Sequence, residues 1–162
     1  MSVDLTGTAS NAYTIFGKST GSMTLPAAYQ VATPFGANTG GTNAAFWAVA
    51  NNAALGYAQF DSWMSVGIEG GDTAGALSSI GVDFDSWTET TGLEVTDGAV
   101  FWMAPDDAPG GTSVVGQITV EAGASGTVTM GMQGRSAGDG GVGSDWTEDS
   151  LDFSYGAGGG SP

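Results

Sequence analysis

A chain of 162 residues is the length of one domain, or of one domain with a small appendage, and is long enough to bury a core. Its 17 acidic residues face two basic ones, Lys18 and Arg135, for a formal net charge of −15; two cations cannot neutralise a nucleic-acid backbone or hold an anionic membrane surface. Cys and His are both absent, which excludes disulfides, thiolate zinc sites, cysteine nucleophiles and Ser-His-Asp triads within one chain.

Aromatic residues at 10% point to a folded chain, and only 12% charged residues beside 29 glycines point to a neutral, polar, flat surface suited to close contact with neighbours. The acidity serves solubility and also fits salty surroundings, where screening is efficient. The N-terminus, MSVDLTGTASNAY, has neither the basic nor the apolar region of a signal peptide. No apolar run approaches the roughly 18 residues of a spanning helix. The expectation is a product with no leader and no transmembrane segment.

In chain order, residues 1–10 are small and polar and read as an N-terminal arm, or as a first strand that needs a partner to become ordered. Ala12–Phe16 reads as a strand, Gly17–Ser22 as a turn, and Met23–Leu25 as a short extended piece stopped by Pro26. Thr33-Pro34 biases its surroundings to extended or turn conformations, and 36–42 is a loop. Asn43–Ala54 is the helical candidate, because alanine dominates and Thr42 or Asn43 can cap it. Residues 57–68 read as a strand through Trp63, and Ala76–Val82 as a short strand or helical turn.

Asp97-Gly98 signals a turn before the apolar run Val100–Met103, a buried strand. Val114–Val120 and Thr127–Gln133 alternate as strands do, and Gly123–Gly126 between them reads as a hairpin. A Gly-rich mobile segment runs from Arg135 to Ser144, Leu151–Tyr155 closes the domain, and 156–162 is a tail. Short strands and loops at this spacing predict an all-β, mainly antiparallel domain over 11–155, a β-sandwich or jelly-roll-like fold with one short helix.

The stretch from Phe60 to Gly111 organises the chain. The tetrapeptide FDSW stands at Phe60–Trp63 and again at Phe84–Trp87, with a looser echo at Ser144–Trp146. Its Asp and Ser can bond their own backbone while the aromatics flank the corner. Exposed, Trp63 and Trp87 could stack on sugar rings or meet a neighbouring subunit; buried, they are structural corners.

Asp106 and Asp107 are the weak calcium candidates, since Asp83 and Asp85 share only a strand face and no EF-hand spacing is present. Asp61 with Asp85, or Glu69 with Glu94, are carboxylate pairs that no spacing singles out for glycosidase-type catalysis. The Gly-rich segments match neither a P-loop nor a dinucleotide fingerprint. No catalytic residue and no cofactor is implied. Lys18 and Arg135 are expected to find acidic partners, within the fold or across a subunit contact.

The order of motifs from Tyr13 to Tyr155 carries a resemblance. The pieces are AYTIFG, PFGANTGGTNAAFWA, FDSWMSVGI, GALSSIGVDFDSW, VFWMAPDDAP, VVGQITV and MGMQGRS followed by DW. In that order they are similar to the repeated β-domain of diatom pyrenoid shell proteins and to related marine bacterial and cyanobacterial proteins. The resemblance implies a non-enzymatic domain that packs side by side with others. A single copy without a targeting presequence also looks like a structural protein of a marine phage particle. The expected function is that of a structural protein which self-associates or decorates a protein lattice, placed on a virion surface; the alternative is a subunit of a pyrenoid-type shell in a plastid, and a third is a carbohydrate- or calcium-binding surface module. Its partners would be itself or a neighbouring lattice protein, with no nucleic acid and no membrane insertion. The expected interface residues are Ser2, Val3, Asp4 and Leu5 of the arm, Trp63 and Trp87 of the FDSW corners, and the two cations Lys18 and Arg135.

Overall fold

The computed structural model describes residues 1–137 and 144–156. Of the segment expected to be mobile, Arg135–Ser144, only the ends are described: Arg135 closes a strand and Ser136 pairs with Ala9, while 138–143, and 157–162 of the tail, lie outside the described residues.

Antiparallel strands build almost all of the regular structure, and the fold is an all-β, sandwich-like domain with a single short α-helix among the described residues. The strands are β1 (Ser2–Asp4), β2 (Thr14–Gly17), β3 (Met23–Leu25), β4 (Asn51–Asn52), β5 (Gly56–Tyr57), β6 (Trp63–Met64) and β7 (Leu77–Ile80). They continue as β8 (Leu93–Val95), β9 (Gly98–Trp102), β10 (Thr112–Val114), β11 (Gly116–Gln117), β12 (Gly126–Arg135) and β13 (Asp145–Tyr155). The helix α1 covers Trp47–Ala50 and follows a 3-10 turn at Ala44–Phe46. The main sheet has seven strands, ordered β7-β9-β2-β12-β3-β8, with β13 paired to the other edge of β12. The pairs β1-β10 and β11-β6 form two smaller sheets.

Alternation explains which face each strand buries. In β12, Val128, Met130 and Met132 point inward with at most 1% exposure, while Thr129 and Gln133 beside them are more exposed. Ile15 of β2, Val100 of β9, and Leu93 and Val95 of β8 face the same core. The smaller sheets contribute Met64, and Val66 and Val115 beside them belong to the same cluster. Methionines fill much of the centre, as suits a core assembled from short, irregular strands. The run from Asp61 to Val66 is buried without interruption. It is the middle of the molecule.

Several sequence expectations change. The helix expected over 43–54 shrinks to 44–50, because Asn51–Asn52 turn out to pair with Gly56–Tyr57. Asn52 helps make that turn, its side chain accepting from the backbone N–H groups of Ala54 and Leu55. The strand expected over 57–68 is broken by a 3-10 turn at Ala58–Phe60, leaving two paired residues in β6. The hairpin expected at 123–126 does not form: β10 and β11 pair with β1 and β6, and β12 pairs with β13. The closing strand is twice as long as the apolar pattern suggested. Its first half, from Asp145 to Ser150, is mostly exposed and held by β12 rather than by burial.

The crossing of β2, β3 and β8 leaves no room at Gly17. A methyl group there would lie 1.9 Å from the Val95 carbonyl oxygen and 2.6 Å from the Met23 nitrogen, both backbone atoms. Gly17→Ala is therefore expected to cost at least about 2 kcal/mol through overpacking. Urea unfolding followed by tryptophan fluorescence measures it.

Candidate functional site

The residues expected at an interface are distributed differently from the expectation. Ser2–Asp4 do form a strand, but its partner is Thr112–Val114 of the same chain. Leu5 N–H donates to the Gly111 carbonyl at 3.0 Å, and the terminal ammonium of Met1 donates to the Gly116 carbonyl at 2.7 Å. Burial lowers the pKa of that ammonium. Residues 1–5 are thus ordered inside the fold, and strand addition to a neighbour would have to break these bonds.

Trp63 and Trp87 are 6% and 2% exposed, so neither presents a ring face to a sugar or a subunit. The Trp87 indole N–H donates to the Pro26 carbonyl at 2.7 Å, which satisfies the polar end of a buried ring. The two FDSW copies are also not equivalent in structure. In the first, Phe60 ends the 3-10 turn, and Asp61 and Ser62 are buried. In the second, Phe84–Ser86 are themselves the 3-10 turn, and Asp85 and Ser86 are exposed. Only the buried tryptophan is common to both.

Asp61 is a structural anchor. Its Oδ1 accepts from the Val31 N–H at 2.8 Å and its Oδ2 from the Ala37 N–H at 2.7 Å, closing the loop between them. Burial raises its carboxyl above the ordinary aspartate pKa, against the opposing pull of the backbone donors. At 1% exposure and with both oxygens engaged, Asp61 has no free face for a substrate.

Both cations find partners within the fold. Lys18 Nζ sits 2.7 Å from Asp149 and ties the β2 end to β13. Arg135 donates to Asp106 at 2.7 Å and to Asp145 at 2.6 Å, and its guanidinium lies 5.2 Å from the centre of the Tyr13 ring. The arginine draws the Asp145 carboxyl below its ordinary pKa, while desolvation and the adjacent Asp145 raise that of Tyr13. Asp106 thus already faces a cation. Among the described residues no group of three or more acidic side chains is placed to hold a metal ion, and Asp107 is exposed beside Asp106 in the same 3-10 turn.

What the sequence did not single out is an exposed apolar surface on 46–60. Phe46 is 64% exposed, Val49 63%, Tyr57 44% and Phe60 49%. Phe46 and Val49 are three apart on one continuous helical segment and so share a face. α1 packs on both β5 and the Ala58–Phe60 turn, so the elements that carry the four exposed side chains are neighbours in the fold. Ala50 and Ala58 are the buried residues of these turns, while Phe46, Val49 and Phe60 are exposed and Trp47 is half-buried.

Among the described residues no helix is long and apolar enough to cross a membrane. Comparison with protein-family models, curated proteins and solved structures finds no match.

Proposed function

We propose that this chain is a non-enzymatic structural domain that attaches to a protein lattice, as a decoration subunit of a marine phage particle. The observation that carries the reading is the exposed apolar surface of Phe46, Val49, Tyr57 and Phe60. Large apolar side chains left exposed on neighbouring elements of a small domain fit a contact site. The Gly-rich composition with few charged residues, and the resemblance of its motif order to shell-forming β-domains, support the same reading.

A second reading, a subunit that tiles into a shell by itself, rests on β7. That strand ends the main sheet, and its residues Leu77, Ser78, Ser79 and Ile80 carry no charge, with Ile80 67% exposed. A second copy could pair along such an edge without bringing carboxylates together. Sedimentation velocity at micromolar concentration separates the two. The decoration role predicts one slow species in sea-water-like salt; rapidly sedimenting assemblies favour the shell.

The contact surface itself is separable from the fold. Phe46→Ser with Phe60→Ser is expected to leave the midpoint of thermal unfolding within a few degrees, since exposed substitutions shift stability by about 0.5 kcal/mol or less. The same pair should abolish binding of a hydrophobic fluorescent dye to the native protein.

A further inference from the structure

Beside the apolar surface lies an open groove of about 610 Å³, walled by Tyr29, Tyr57, Phe60 and Tyr155. The charged residues in its wall are Glu89 and Glu121, both exposed and both acidic. The walls are held in place before any ligand arrives. The Tyr29 N–H donates to the Thr119 carbonyl, its carbonyl accepts from Ser62, and its hydroxyl accepts from the Tyr57 N–H at 3.1 Å. Thr88 Oγ1 accepts from the N–H groups of Thr90 and Thr91, which fixes the turn that carries Glu89.

Aromatic faces and carboxylates together complement a cation, the rings through their negative faces and the acids by direct pairing. A second copy of this chain cannot supply one. It has only Lys18 and Arg135, and each is already paired, with Asp149 and with Asp106 and Asp145. Charge complementarity therefore selects another protein. We propose that this groove receives an extended, Lys- or Arg-bearing segment of the neighbouring lattice protein, an inference that rests on the reading of the chain as a lattice-bound subunit. The apolar surface then covers the flank of that segment, and the groove supplies its register.

The test is calorimetric titration with an acetylated, amidated peptide of alternating lysine and proline, and in parallel with a neutral oligosaccharide. The expected result is one peptide bound per chain. Tyr57→Ala with Phe60→Ala, and separately Glu89→Gln with Glu121→Gln, should each weaken binding about tenfold. Glu94→Gln with Glu148→Gln, which removes the same charge from exposed positions on β8 and β13, should leave binding unchanged. Melting curves confirm that every variant is folded.

Equal weakening by the control pair would mean diffuse attraction to an acidic protein and would overturn the proposal. So would absence of peptide binding, or binding of the oligosaccharide in its place. Sedimentation of the chain without peptide keeps the two claims apart. Unassisted assembly removes the decorating role, whereas failure of the peptide alone removes only the groove.

Discussion

Replacing Trp87 by alanine is expected to lower folding stability by about 3–5 kcal/mol, the cost of emptying a well-packed aromatic site. The ring is 2% exposed and packs into the main core with Phe84 and Val82 nearby in the same cluster. Its loss also strips the Pro26 carbonyl of its indole donor. Phe60→Ala, in the other copy of the same tetrapeptide, should cost about 0.5 kcal/mol or less, because that ring is already 49% exposed. Chemical denaturation of the two variants side by side measures the contrast. Equal, small effects would mean that Trp87 lies at the surface after all, and the fold as described would be wrong.

The second large effect is at Asp61. Asp61→Ala leaves the N–H groups of Val31 and Ala37 without acceptors inside the protein, an expected loss of about 3 kcal/mol or more. Asp61→Asn keeps one acceptor but turns an amide donor toward the other N–H, so it should also destabilise. The pH dependence gives an independent check. Burial raises the folded-state pKa of Asp61 above the ordinary value, so the folded protein holds this proton more tightly than the unfolded chain. Its contribution is therefore most favourable below the ordinary aspartate pKa and declines as pH rises through the raised value. Lowering the pH from neutrality through that window should widen the stability gap between wild type and Asp61→Asn. A gap that narrows would show that the backbone donors, not burial, dominate this carboxyl.

How far the sequence foretold this follows from what each segment relies on. Strands whose apolar residues alternate, such as Thr127–Gln133 and Leu151–Tyr155, were legible because the core itself selects that pattern. The first half of β13 was not, since its residues are mostly exposed and only pairing with β12 orders them. The β1 pairing with β10 spans more than a hundred residues of sequence, and no local pattern encodes it. The FDSW repeat misled in an instructive way. Identical residues two dozen positions apart sit in different turns, because Asp61 found buried N–H partners and Asp85 did not. The exposed surface at 46–60 was hidden as well. Residue types alone do not say which side chains of 46–60 meet the core, and α1, four residues long, buries only Ala50.

Negative-stain electron microscopy of the purified chain, at micromolar concentration in sea-water-like salt, tests the central claim most directly. If the chain decorates another protein's lattice as proposed, this acidic domain, whose two cations are already paired, should appear as single particles or small rings. Extended sheets, tubes or closed shells formed without a template would contradict the decoration role and place the lattice in this chain alone.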